Sequence, residues 1–253
     1  MIVVNIIGSG HVGYHLCKAL VKSDLVSINQ WLIRNATTKI DFSFPGDIVR
    51  SIQDLKPADI TIIAVHDDAI SEVSKDIPFS NSLVVHTSGS VNIHDLDRKH
   101  HRGVFYPLQS FSKSSDIHFA AVPICVEALE KTDVNLLKAL AAALGSTPYK
   151  MNTEQRQTLH LSAVYVNNFV NQLYRIAHEI SDAKHINFNI LKPLILETAK
   201  KVQDISPYMA QTGPAIRNDK KTITRHLKLI DNDTHKAIYQ LLTQSIKDTH
   251  GRR

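Results

Sequence analysis

The chain has 253 residues, a formal net charge of +5, 43% apolar residues and only 6% aromatic ones. That supports one large domain or two modest ones with a real core and argues against disorder. Lys and Arg are scattered instead of gathered on one element beside aromatics, so nucleic acid is not an expected partner, whereas a small anionic ligand is.

No run of about 18 apolar residues occurs, so no membrane span is expected. Cys17 and Cys125 sit in apolar surroundings without metal-ligand spacing, which predicts buried reduced thiols and no metal site. The opening MIVVNIIGSG has no basic segment ahead of its apolar run, so the expected location is cytoplasmic.

From the N-terminus, short apolar runs alternate with helical patterns. Strands are expected at 2–7, 27–34, 59–65, 82–86, 103–106, 122–126 and 147–150, with helices at 12–21, 48–55, 69–74 and 134–144. Such alternation argues for a parallel sheet covered on both faces. Beyond Met151 the β-rich runs stop, and helical periods are broken at Pro193, Pro207 and Gly213-Pro214. The expectation is an α/β chain: a Rossmann-type parallel-sheet domain over 1–151, then an all-α domain over 152–253.

Gly8-Ser9-Gly10-His11-Val12-Gly13 lies between the first strand and the first helix. In that context Gly8 suits a tight turn, Gly10 the approach of a pyrophosphate, and Gly13 the packing of helix on strand. The helix N-terminus adds free N–H groups for phosphate. About twenty residues on, where an NAD site places a carboxylate on the ribose, the sequence has Arg34-Asn35. A guanidinium suits a 2′-phosphate, which favours NADP over NAD; the alternative is that Arg34 only caps a strand edge. His66-Asp67 and His86-Thr87-Ser88-Gly89 follow two further strands, at the carboxyl ends where open α/β sheets bind ligands. Asp68 reads instead as a helix cap.

In the helical half, Leu159, Ala163, Val166, Val170, Leu173, Ala177 and Ile180 recur at helical spacing and predict one continuous buried stripe. Beside it run His160, Val164, Asn167, Asn171, Tyr174 and His178, either lining a cleft or facing solvent. Asn168 falls about 80° further round from His160 on an ideal helix. The segment QTGPAIRNDKKTITRH at 211–226 sets a Thr212-Gly213-Pro214 turn before Arg217, Asp219, Lys220, Lys221, Arg225 and His226. It is either a solvated surface or a grip on an anion.

Together, GSGHVGYHL, AVHDDAI, HTSGS, YPLQSFS, HLSAVYVNNF and TGPAIRNDKKTITRHL resemble a family of Rossmann-like NADP oxidoreductases with a characteristic all-helical C-terminal domain. The resemblance covers nearly the whole chain. In architecture that family is similar to 6-phosphogluconate dehydrogenase, pyrroline-5-carboxylate reductase and the β-hydroxyacid dehydrogenases. The resemblance carries over Gly8, Gly10, Gly13, His66 and Asp67, and with the residues read above the expected NADP set is Gly8, Ser9, Gly10, His11, Val12, Gly13, Arg34, Asn35, His66, Asp67 and Thr87. It also implies a substrate set of Ser88, Gly89, Asn167, Thr212, Arg217 and Asp219, with Arg217 gripping a carboxylate and Asp219 bracing Arg217. His160 is the expected proton donor, because a side chain titrating near working pH is the efficient one. Asn168 would polarise the carbonyl and His226 stand in reserve.

One departure from related enzymes is that no lysine precedes Asn167 or Asn168 by four residues; Ala163 and Val164 stand there. Some members of the family resemble an alternative ketopantoate reductase. The expected function is therefore NADPH-dependent reduction of a small 2-oxo acid, 2-dehydropantoate first. The alternatives are an NADP(H)-binding sensor and a cyclic-imine reductase resembling pyrroline-5-carboxylate reductase. Apolar stripes in excess of what the helical half can bury suggest a homodimer.

Overall fold

The computed structural model describes residues 1–35, 37–112 and 114–250. It consists of two compact units, Met1–Asn167 and Asn168–Arg253.

The first unit is built on an eight-stranded sheet of order β3-β2-β1-β4-β5-β6-β7-β8. Its strands are β1 (Ile2–Ile7), β2 (Val26–Leu32), β3 (Asp47–Val49), β4 (Ile60–Ile63), β5 (Leu83–His86), β6 (His101–Pro107), β7 (Ile124–Ala128) and β8 (Pro148–Lys150). Neighbours run parallel except β6 and β7, which pair antiparallel. The helices are α1 (His11–Leu20), α2 (Ile70–Asp76), α3 (Lys131–Ala143) and α4 (Thr153–Ala163).

The central strands are continuous apolar runs because both faces are covered. Val4, Ile6, Ile62 and Val85 join Leu16, Leu20, Leu137 and Leu140 in one core. Their sequence neighbours Ile7, Ile63 and Val84 join Leu55, Ile70, Ile77 and Leu96 in the other. The alternation of a strand thus sorts consecutive residues into two layers.

All seven expected strands are present, and the Rossmann-type class is as expected. The eighth, β3, falls where a helix over 48–55 was expected; of that helix only a 3-10 turn at Ile52–Asp54 forms. Two causes are visible. Ile48 and Val49 are β-branched and pair with Trp31 and Leu32, and Lys56 precedes Pro57, which disfavours helical backbone just where the helix would continue.

Among its described residues the second unit has helices joined by turns and no strand: α5 (Val170–Asp182), α6 (Lys192–Asp204), α7 (Pro207–Ala210), α8 (Lys220–Leu229) and α9 (Asp233–His250), with a 3-10 turn at Phe188–Leu191. Pro193 and Pro207 start helices instead of breaking them, each occupying the first turn, where the missing N–H costs nothing.

The predicted buried stripe does not form. Val166 is 74% exposed, and Leu173 and Ile180 are also exposed, while Ile176 is buried. Between α4 and α5 lies a π-helical segment, Val164–Phe169. Its i→i+5 turns hold more residues than α turns, so spacings of three and four carried through it no longer return to one face. The same widening breaks the seven-residue alignment of His160 with Asn167. Among the described residues no helix is long and apolar enough to cross a membrane.

Candidate active site

The glycine loop opens a cavity of 670 Å³ at the carboxyl ends of β1, β2 and β4. Gly8 has φ +106°, and a Cβ there would lie 2.3 Å from the Ala64 carbonyl oxygen; only glycine fits. A Cβ on Gly13 would meet the Gly8 carbonyl at 2.4 Å. Gly10 differs: its φ is an ordinary −67°, and a Cβ there meets nothing within 4 Å. Neither backbone nor packing requires glycine at 10, so the open space in front of it is available to a ligand.

Of the expected coenzyme residues, Gly8, Ser9, Gly10, His11, Val12, Arg34, Asn35, His66 and Thr87 line this cavity. Gly13 packs behind it, buried. Asp67 does not line it; its carboxylate accepts a hydrogen bond from Ser90 Oγ.

Arg50 and Ser51 also line the cavity. Arg50 Nη1 donates to the Ile33 and Asn35 carbonyls at 2.7 and 3.3 Å, pinning the loop that carries Arg34. Sequence reasoning missed Arg50 because it had placed this stretch in a helix. Two guanidinium groups at the end of β2 suit a phosphate dianion.

The second half of the site is the turn after β5, and α4 holds it. His86 is fully buried, and its Nδ1 accepts from the Ser88 N–H at 3.1 Å. Burial, then the positive charge of Arg156, pushes its pKa down to about 3 despite an opposing pull from Asp67. The ring is therefore neutral at ordinary pH.

Ser88 Oγ accepts from the N–H groups of Ser90 and Val91, both at 3.0 Å, so this hydroxyl oxygen caps its own turn. Beneath it sits Arg156, 0% exposed. Its Nη1 donates to the Ser88 carbonyl at 3.0 Å. Its Nη2 donates to the Val91 carbonyl at 2.8 Å and to Glu127 at 3.2 Å. Gln157 Nε2 donates to the Ser90 carbonyl at 2.6 Å.

One turn beyond Arg156 on α4, His160 lies against Gly89: a Cβ on that glycine would stand 2.6 Å from His160 Nδ1. The hydroxyl of Tyr106, on β6, is 3.0 Å from the same nitrogen. The structure therefore brings together Ser88, Gly89 and His160 as the sequence suggested, and adds Arg156 and Tyr106. Tyr106 stands in the motif YPLQSFS, but nothing in the sequence alone pairs it with a histidine fifty-four residues later.

Asn167 and Asn168 are both exposed residues of the π segment. In the helical unit, Thr212 is exposed. Arg217 lines a cavity of 730 Å³ together with Tyr208, Asn218, Lys247 and His250. Asp219 does not brace Arg217 through a hydrogen bond; its carboxylate caps α8, accepting from Thr222 N–H at 3.0 Å. That bond, more than the nearby Arg225 and Arg217, holds its pKa below the usual range. His226 Nδ1 meets the Tyr239 hydroxyl at 2.9 Å. Among the described residues no cluster of His, Cys, Asp and Glu could hold a metal.

A Rossmann-type sheet, a glycine loop with open space before its second glycine, and Arg34 and Arg50 on one cavity are the features of a dinucleotide-binding oxidoreductase. Across 98% of both chains the protein is 34% identical to a proposed NADP oxidoreductase from Bacteroides fragilis, with a TM-score of 0.88. An imine reductase from Myxococcus stipitatus in complex with NADP+ shares the fold at 16% identity over 99% of this chain and 96% of that one, TM-score 0.68. So does a pyrroline carboxylate reductase from Plasmodium falciparum with NADP bound, at 11% identity over 99% and 97%, TM-score 0.63. The profile of a family described as a domain of unknown function (DUF2520) matches residues 122–246. No curated protein matches the chain. The chain belongs to the family of the Bacteroides protein, and it is an NADP-dependent oxidoreductase.

When bound, NADP would supply or accept the hydride, and the glycine loop, Arg34 and Arg50, which line the cavity, are the groups that would hold it. Gly10→Ala is expected to leave the thermal midpoint unchanged, because the methyl meets no protein atom. The same substitution should weaken NADPH binding about tenfold or more, or about 1.4 kcal/mol, in a fluorescence titration. Gly8→Ala should instead unfold at lower temperature, since its methyl meets a backbone carbonyl.

Proposed function

We propose that the protein is an NADPH-dependent reductase of a small 2-oxo acid, with 2-dehydropantoate as the first candidate. The observation that carries this reading is the seat of His160, wedged between the Gly89 turn and Tyr106 in the same unit as the coenzyme cavity. A ketone that receives hydride becomes an alkoxide and needs a proton, and His160 delivers it. In the Ser88–Gly89 turn the N–H groups of Ser88, Ser90 and Val91 are already engaged, which leaves the Gly89 N–H as the backbone donor for a substrate carboxylate; in the second unit Arg217 is a two-pronged donor for the same kind of group. Asn167 belongs to the same unit as His160, and Asn168, Thr212 and His226 are the further polar candidates that the second unit carries.

The test is the loss of reduced-nicotinamide absorbance across a panel of 2-oxo acids, with pyrroline-5-carboxylate and NADH as controls. Turnover of 2-dehydropantoate that falls about 10²- to 10⁴-fold in His160→Ala, with NADPH affinity retained, supports the reading. Turnover of pyrroline-5-carboxylate alone would replace it with imine reduction. NADPH binding with silence across the panel would favour a sensor.

We also propose a homodimer formed through the helical unit. Ile190, Leu194, Met209 and Leu241 are each at least 62% exposed, an apolar surface that association would cover. Light scattering should give twice 28.3 kDa, and a Leu194→Arg, Leu241→Arg double variant should give the monomer. A wild-type monomer at micromolar concentration would reject the idea.

A further inference from the structure

We propose that Tyr106 is a positioning residue that fixes the proton of His160: its phenol donates to Nδ1, so that the neutral ring carries its hydrogen on Nε2 and presents that N–H to the substrate oxygen. The proposal rests on the reductase reading for its purpose, though not for its test.

The two side chains have little freedom to separate. Tyr106 lies within β6 and pairs with Cys125 of β7. His160 is carried by α4, which Arg156 and Gln157 tie to the 88–91 turn through three carbonyls. The ring itself is stopped by Gly89. The two rings meet edge to face, centroids 5.9 Å apart at 75°, which brings the phenol oxygen to 3.0 Å from Nδ1.

The direction of the bond follows from the partners. A phenol O–H is a stronger acid than a neutral imidazole N–H, and an imidazole nitrogen is a better acceptor than a phenol oxygen, so O–H···N is the favoured arrangement. Burial pushes the Tyr106 pKa up to about 12, with the nearby Cys125 adding to the rise, so the donor proton stays on the phenol at working pH. With the Nδ1 lone pair engaged, the neutral ring's one proton is on Nε2.

The test is ¹⁵N NMR of the full-length protein labelled at histidine, recorded where the ring is neutral, with the His160 signals assigned by their loss in His160→Gln. The expected wild-type spectrum shows a proton on Nε2 and an unprotonated Nδ1 shifted by an accepted hydrogen bond. In Tyr106→Phe the Nδ1 signal should move downfield, toward a nitrogen with no donor, while the other histidine signals stay in place. A proton on Nδ1 in the wild type, or an Nδ1 signal unmoved in Tyr106→Phe, overturns the proposal. No substrate enters the measurement, so a silent substrate panel would reject the reductase reading without deciding this one.

Discussion

Replacing Arg156 by Met should cost about 3–5 kcal/mol of stability, the usual penalty for breaking a buried ion pair by removing one partner. The guanidinium is fully buried and Glu127, its partner, is only 13% exposed at the side chain. Met fills much of the volume but donates nothing. The variant would leave the Glu127 carboxylate with the Thr153 hydroxyl alone and strand the Ser88 and Val91 carbonyls. Urea unfolding followed by circular dichroism would read the loss as a lower midpoint. Arg175–Glu179 is the matched control: it is an ion pair on an exposed helix face, and Arg175→Met should barely move the midpoint. NADPH affinity should survive in Arg156→Met, because Arg156 does not line the coenzyme cavity. Equal loss in the two variants would show that the buried clamp carries no special weight.

What was legible in the sequence divides along physical lines. The glycine loop could be read because three glycines at fixed spacing after an apolar strand answer to backbone constraints, and two of those constraints are visible at Gly8 and Gly13. The central strands were legible because burial on both faces leaves an unbroken apolar signature. β3 was not, since three residues at a sheet edge carry too little pattern to outweigh a nearby helical period. The stripe through 159–180 failed for a different reason: periodicity assumes one helical pitch, and nothing in VYVNNF marks a π turn.

The site shows the same division. His160 stood out as a histidine on a long helix, and Gly89 as part of a Ser-Gly turn. Arg156 looked like any charge in the first turns of a helix, because a buried arginine and a solvated one share the same letter. Asp219 was assigned to brace Arg217, although an acidic residue just before a helix is also an N-cap signature, and the cap is what forms.

Acid should unfold the first unit chiefly through His86. Its folded pKa of about 3 lies well below the ordinary 6.5. Between those two values the unfolded chain binds a proton that the folded chain refuses, so stability rises with pH across the window. It is fully present above about pH 6.5 and is lost as pH falls toward 3. The expected loss is about 2 kcal/mol by pH 5 and about 4 kcal/mol at the acid end. His100 is depressed in the same direction, first by its own burial, and adds to the loss.

Replacing His86 by Asn keeps an acceptor for the Ser88 N–H and cannot take up the proton, so chemical denaturation at pH 5 and pH 8 should differ much less in His86→Asn than in the wild type. An unchanged pH dependence would mean that other groups drive acid unfolding. Arg156 links the two experiments. Its charge is the second cause of the depression at His86, so in Arg156→Met that histidine should accept a proton more readily. Part of the acid sensitivity should then disappear even as the protein becomes less stable at every pH. A structural defect alone would lower stability without flattening its dependence on pH; a lost cation beside His86 does both.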